Sequence, residues 1–488
     1  MSLKQKAFGA AKWTSFSAMA TSVMQLLQIV ILSRFIDKAD FGLMAIALFV
    51  IGLSQMFMDM GISNAIIHNQ KVTSKQINTL FWLNIFAGIT IYVTLYICTP
   101  FIADFYHSPE LVSIIRWTSA TYLIVPFGQQ FETLLVKELN FKSLSIRDVI
   151  GKTGGLLASV LLAFWHYGIY ALVYANLFQA LVSTALLVVY GLKIFRPKLE
   201  FDWYSLKNEG FFSFGLFQMG EKTVNYFNSQ FDTLLIGKLL GMEALGIYNI
   251  AKTLAFKPYQ IINPIVTKVA FPVLAKMQDD IDKLRRAYIQ ILRLLTYANA
   301  PVYAAMIILA KPLIILFFGE AWTESIPFLR ILAITALCNS IGNPVGALLM
   351  ARGRADWGFY WNLGMLLFMP LCIWIGSFWG LEGIAWGLTL FKIAVMLPAW
   401  GLFVYPLCKA KFLEYFGSVG KPILLATASA VVAYLVSPSM NNNYLDLGIG
   451  LFILGAVYVG LGMLATNNQE RASLMHFFAN KGQVGQQS

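Results

Sequence analysis

The sequence predicts an all-α integral membrane protein. About fourteen transmembrane helices are expected, in two parallel six-helix lobes with an appended C-terminal helix pair. Three observations predict this. Long apolar stretches recur, each near the ~20 residues that cross a bilayer as a helix. Of 488 residues, 58% are hydrophobic and 12% charged, about half the charged fraction of an ordinary soluble chain. Segments of the first half recur in the second half, in the same order. Continuous spans of this length satisfy their own backbone hydrogen bonds only as helices. A β-barrel would show alternating segments of about ten residues instead.

The first lobe lies within residues 1–195, with apolar stretches at about 14–33, 41–61, 79–101, 113–133, 147–166 and 169–191. The second lies within 196–410, with stretches at about 211–237, 245–270, 289–311, 326–350, 358–378 and 382–404. The final pair, at about 419–437 and 445–465, ends in a polar tail within 411–488. Lys4 and Lys6 before an apolar run imitate a signal peptide, but that run continues to Leu32, too far for one. Gly241 marks a tight hairpin between the seventh and eighth spans. Asp279-Asp280 stand where the ninth needs an N-cap, a position that favours a short side-chain acceptor. Pro126, Pro258, Pro264 and Pro344 fall inside spans, where proline frees a carbonyl and bends the helix.

The net charge of +12 is distributed by membrane side. About 24 of the 36 Lys and Arg fall in the termini and the even-numbered loops, among them Lys71, Lys75, Lys137, Lys142, Arg196, Lys276, Arg352 and Lys411. The opposite loops hold about four: Arg34, Lys38, Lys238 and Lys311. This is the asymmetry that places basic loops in the cytoplasm. It puts both termini there, requires an even number of spans, and accounts for the charge without nucleic acid. Cys98, Cys338, Cys372 and Cys408 are widely spaced, and the four histidines are scattered. No disulfide framework, metal site or cofactor is expected from them.

Residues 34–47, RFIDKADFGLMAIA, match 238–251, KLLGMEALGIYNIA, with Gly42 on Gly246. A second match sets Glu110 on Glu324, Arg116 on Arg330, Gly128 on Gly342 and Leu134–Leu135 on Leu348–Leu349. Six spans separate the partners, so both copies have one orientation. Parallel repeats of this kind build transporters with the site at mid-membrane depth.

Polar residues inside spans mark a protein-lined or water-filled interior. In the seventh span Gln218, Glu221, Asn225, Asn228 and Asp232 share one helical face, by their spacing of three or four. The eighth carries Asn249, Thr253, Lys257, Gln260 and Asn263, and the first Thr14, Ser17, Thr21, Gln25 and Gln28. Measured from the Gly241 turn, Asp232 falls near the depth of Lys252, and Lys257 near that of Asn225. Glu221, Lys222, Lys257 and Lys392 thus lie near mid-depth, an excess of positive charge. An ionisable group there costs about 2.5–3.5 kcal/mol on insertion scales. The expected site is a cationic cavity of Lys257, Lys392, Lys252 and Lys222. Asp232, Glu221, Asn225, Asn228, Asn249, Gln25 and Gln28 are its polar lining or ion-coupling groups. Asp232 with Lys252 reads equally as a pair that holds two helices together. Arg116, Arg330, Lys152 and Glu132 lie near span ends, where long side chains reach the interface.

Several stretches resemble a known family: SRFIDKADFG (33–42), FGQQFETLLVKELNF (127–141), NPIVTKVAFPVLAKMQDDIDKLR (263–285), FGEAWTESIPFLRIL (318–332) and NPVGALLMARGRAD (343–356). They look like the polysaccharide branch of the MOP superfamily of flippases and exporters, the Wzx lipid-linked oligosaccharide flippases of the colanic-acid exporter type. The resemblance implies translocation of undecaprenyl-diphosphate-linked oligosaccharide repeat units from the cytoplasmic to the periplasmic leaflet of a bacterial inner membrane. It implies alternating access coupled to an ion gradient, for exopolysaccharide biosynthesis. The protein would be a monomeric transporter and not an enzyme, with membrane lipids, a polysaccharide polymerase and export machinery around it. Lysines suit a diphosphate, although the first two spans carry none at mid-depth. A drug or small-molecule cation antiporter on the same fold is the alternative, allowed by Asp232 and Glu221 and opposed by the lysine excess. A membrane polysaccharide polymerase or ligase is the third reading, opposed by the short outer segments.

Overall fold

The computed structural model describes residues 3–59, 72–202, 211–436 and 443–465. Side chains at 211–218 lie outside that set, Gln218 among them, as does the expected polar tail from residue 466. Every described element is helical. In chain order they are α1 (Leu3–Leu32), α2 (Lys38–Asp59), α3 (Ser74–Tyr106), α4 (Glu110–Ser119), α5 (Pro126–Lys137), α6 (Phe141–Phe164), α7 (Tyr170–Gly191), α8 (Phe211–Leu240) and α9 (Met242–Lys276). There follow α10 (Ile281–Ile308), α11 (Ala310–Phe318), α12 (Ser325–Gly342), α13 (Pro344–Ala351), α14 (Ala355–Ser377), α15 (Gly380–Ala399), α16 (Tyr405–Cys408), α17 (Phe412–Val436) and α18 (Asn443–Ala465).

Each of the fourteen expected spans corresponds to a helix or to a helix broken in two. Ten spans pass as long and apolar enough to cross a membrane, and α4 with α5 makes an eleventh, bent by 51°. The remaining three are α6, α8 and α9, which are long but carry more charge: Arg147, Asp148 and Lys152; Glu221, Lys222 and Asp232; Lys252 and Lys257. Large apolar side chains point outward over much of the surface, Phe101 at 73% and Leu367 at 75% exposure. Lipid, not water, is the solvent that accepts them.

Local chemistry sets the ends. Thr73 accepts from the Gln76 amide while the Gln76 side chain accepts from the Thr73 amide, a reciprocal cap at the start of α3. Asp280 caps α10 as expected, accepting from the amides of Asp282 and Lys283. Pro126 and Pro344 each open a new helix after a break, since proline lacks the N–H that a first turn leaves idle anyway. Pro258, Pro264 and Pro272, in contrast, lie within the single helix α9.

The repeat has a structural counterpart. A Cβ on Gly42 would overlap the Met242 carbonyl oxygen, and one on Gly246 would overlap the Lys38 carbonyl oxygen. Gly42 and Gly246 are partners in the repeat, and the same register pairs Lys38 with Met242. The first turns of α2 and α9 therefore cross backbone to backbone through equivalent residues, as small residues permit in membranes. Beside the crossing, Lys238 at the end of α8 donates to the Phe105 carbonyl at 2.6 Å, a cation at the C-terminus of α3.

Packing divides the chain into two compact units. The first runs to Asn249 and adds Asn362–Ile373; the second takes Ile250–Trp361 and resumes at Trp374. Within the first, Gly151 of α6 lies against Ser183 of α7, and Gly191 against the Phe131 ring of α5. Within the second, Tyr288, Leu292, Leu348, Val404 and Tyr415 form one core, and Leu309, Ala433 and Leu454 another. A buried amide cluster joins three helices there: Asn263 Oδ1 accepts from Ser340 Oγ at 2.8 Å and from Asn299 Nδ2 at 3.3 Å.

Gly246→Ala is expected to force α9 off α2, an overpacking cost of about 1–3 kcal/mol. Gly420, which has open space around its Cα, should tolerate Ala without loss. Thermal unfolding of the two purified variants in detergent, followed by tryptophan fluorescence, checks the contrast.

Candidate functional site

The first unit holds a cavity of about 990 Å³, at the upper end of the ~300–1,000 Å³ of ordinary ligand pockets. Its walls are helical faces of regular spacing. α5 contributes Gln129, Glu132, Thr133 and Val136; α7 contributes Asn176, Gln179, Ala180, Ser183, Thr184 and Leu187. α8 contributes Lys222, Asn225, Tyr226 and Ser229, α2 contributes Gln55 and Met56, and α6 contributes Arg147. Steps of three and four residues keep each set on one side of its helix. Tyr226 is fixed by stacking on Phe49 at 5.7 Å and by donating to the Phe49 carbonyl at 2.9 Å. Gly52 leaves the space that the Tyr226 hydroxyl fills.

Three lining residues are ionisable: Glu132, Arg147 and Lys222. Arg147 Nη2 lies 2.8 Å from Glu132 Oε1, and its Nε lies 3.2 Å from Asp148 Oδ1. The Arg147 side chain is 14% exposed and that of Glu132 45%, so the pair is partly hydrated. A partly exposed pair of this kind is worth about 1 kcal/mol or less. With Lys222, the lining carries a net single positive charge.

A second polar group adjoins this wall. Lys152 Nζ donates to Gln28 Oε1 at 2.9 Å and to Gln179 Oε1 at 3.4 Å, so the Lys152 ammonium turns inward and does not extend along the interface. Gln28 is buried and Gln25 exposed. Arg116, also assigned to a span end, lies over the Tyr96 ring at 4.0 Å.

Of the expected α8 face, Asn225 lines the cavity and accepts from Asn362 Nδ2 at 2.9 Å. Asn228 donates to the Asn362 carbonyl at 2.7 Å. Glu221 is exposed. Asp232 is buried and accepts from the Tyr248 hydroxyl at 2.9 Å. Asn249 is half-buried. Thus the cavity takes the face of Lys222, Asn225, Tyr226 and Ser229, turned by about one position from the face of Glu221, Asn225, Asn228 and Asp232. Lys252, Lys257 and Lys392 belong to the second unit. There Lys257 is 7% exposed, and Lys252 and Lys392 are half-buried.

Sequence reasoning missed Gln55, Glu132, Arg147, Asn176 and Gln179. Polar spacing along α5 and α7 carries the same signal that was used for the seventh and eighth spans. Glu132 was assigned to a span end by its position, whereas the break before Pro126 redirects α5 and brings Glu132 to the cavity.

Comparison with known proteins fits this architecture. The family profile described as "Polysaccharide biosynthesis protein" matches residues 31–327. The lipopolysaccharide biosynthesis protein WzxC of Escherichia coli is 32% identical over 89% of this chain and 88% of its own. The teichuronic acid biosynthesis protein TuaB of Bacillus subtilis is 34% identical over 90% of this chain and 91% of its own. Among solved structures, the lipid II flippase MurJ in an inward closed conformation matches 92% of this chain and 98% of its own. Its TM-score is 0.73 at 13% identity, a likeness of fold.

Tyr248→Phe removes a hydrogen bond to a buried carboxylate, for which about 1.5–3 kcal/mol is expected. A lower midpoint in a detergent-solubilised melt, restored neither by salt nor by glycan, checks that its role is structural.

Proposed function

Because this chain belongs to the polysaccharide biosynthesis protein family, we propose that it translocates undecaprenyl-diphosphate-linked oligosaccharide repeat units across a bacterial inner membrane. The observation that carries this reading is the cavity itself. It is large, carries amides and a net positive charge among apolar side chains, and is lined by helices of the first unit. A diphosphate needs cations with N–H donors, and Arg147 and Lys222 offer them from facing helices. Gln55, Gln129, Asn176, Gln179 and Asn225 offer both donors and acceptors, which suits the hydroxyl groups of sugars. The polyprenyl tail stays in lipid and needs no site.

In this reading both termini are cytoplasmic and the cargo moves from the cytoplasmic to the periplasmic leaflet by alternating access, driven by an ion gradient. The chain performs no covalent chemistry. It works as a monomer beside a polysaccharide polymerase and export machinery. Lys257, Lys392 and Lys252 serve the second lobe's share of the cargo charge, and Asp232, Glu221, Asn228, Asn249, Gln25 and Gln28 provide polar support or ion coupling. A net-positive lining opposes cationic drugs as cargo.

Deleting the gene is expected to abolish surface polysaccharide and leave lipid-linked repeat units on the cytoplasmic leaflet; normal surface polymer in a clean deletion overturns the proposal. In the complemented strain, Lys222→Ala and Lys257→Ala are expected to lower export at least several-fold at unchanged membrane abundance, measured by surface glycan and immunoblot. Full export by either variant removes that lysine from the site.

A further inference from the structure

Arg147 is gripped on two sides by carboxylates of different character. Asp148 is its neighbour on α6 and meets Nε at 3.2 Å. Glu132 arrives from α5, meets Nη2 at 2.8 Å and lines the cavity together with Arg147. A guanidinium presents five N–H donors in a rigid fork. Asp148 meets Nε only as a nearby charge, since Nε has no hydrogen-bond partner, and the Nη edge is the part that holds a carboxylate by a hydrogen bond. Glu132 occupies that edge.

We propose that Glu132 is a built-in competitor for the anionic group of the cargo: it holds Arg147 in the empty cavity and is displaced when a phosphate or carboxylate of the cargo binds there. The inference rests on the transport reading above. Asp148 keeps the guanidinium oriented while Glu132 leaves, so the site stays formed. Glu132 is already 45% exposed, so the released carboxylate is hydrated in the cavity at little cost. Lys222 supplies the net positive charge that draws the anion in against Glu132. The result is affinity held down on purpose, since a carrier must let its cargo go. A neutral glycan cannot displace Glu132 and gains nothing from Arg147.

The full-length protein in detergent, titrated calorimetrically with inorganic pyrophosphate and separately with glucuronate, tests this. Glu132→Gln is expected to bind the displacing anion about fivefold tighter than wild type, the scale of one partly exposed ion pair. Glu132→Asp, which keeps the charge but draws the carboxylate back by one methylene, is expected to tighten in the same direction. Arg147→Gln is expected to weaken binding about tenfold, and Glu132→Gln is expected to give no tightening on that background, as coupled residues require. Tightening toward pyrophosphate assigns the diphosphate as the displacing group, and tightening toward glucuronate alone assigns an acidic sugar. Unchanged or weaker binding by both Glu132 variants overturns the proposal, as does tightening that persists without Arg147, or no binding of either probe to Glu132→Gln. Export in the complemented deletion strain separates the two readings. If wild type restores surface polymer while the Glu132 variants bind no tighter, the competitor role alone fails. If wild type restores nothing, the transport reading fails.

Discussion

A polar group in hydrocarbon persists only where another polar group or water meets it, and the first unit is organised by that constraint. Every polar stripe there converges on another. The lining of α5, α7 and α8 faces inward, Lys152 is met by two glutamines from α1 and α7, and Asn225 and Asn228 are met by Asn362 of α14. Removing one partner leaves the other exposed to lipid or to an apolar neighbour, at a cost of about 1–3 kcal/mol per unsatisfied group.

The same economy explains the charges. Three ionisable residues line a cavity of about 990 Å³, and two of them neutralise each other. Glu132 and Arg147 pair, and Lys222 leaves the lining with one net positive charge. The second unit handles polarity differently. Asn263, Asn299 and Ser340 close on one another, and Thr335 meets Thr389 at 2.6 Å. These contacts join helices.

Most of the fold was legible in the sequence because the bilayer allows few solutions. Apolar length marks spans, and the charged helices α6, α8 and α9 were read from apolar stretches even though they fail a strict apolarity test. An Asp cap at 279–280 could be read locally, whereas the proline positions could not separate the breaks at Pro126 and Pro344 from Pro258 and Pro264, which lie within one continuous helix. The site was legible only in part. Asn225 was found from its helical face and Lys222 from its depth, but spacing cannot fix a helix's rotation to within one position, so Glu221 and Asp232 were grouped with them. Glu132 and Lys152 were assigned to span ends because depth was counted along straight helices, and Arg147 was not singled out. The break at Pro126 and the inward turn of Lys152 between Gln28 and Gln179 depend on tertiary packing, which periodicity does not encode.

The crossing of Gly42 with Gly246 has the form of an isologous interface. Each glycine touches the carbonyl four positions before its counterpart, so one patch meets a copy of itself within a single polypeptide. A half-length ancestor bearing that patch would already have been suited to pair with its twin, and fusion of the two genes would then have preserved a dimer contact as an internal one.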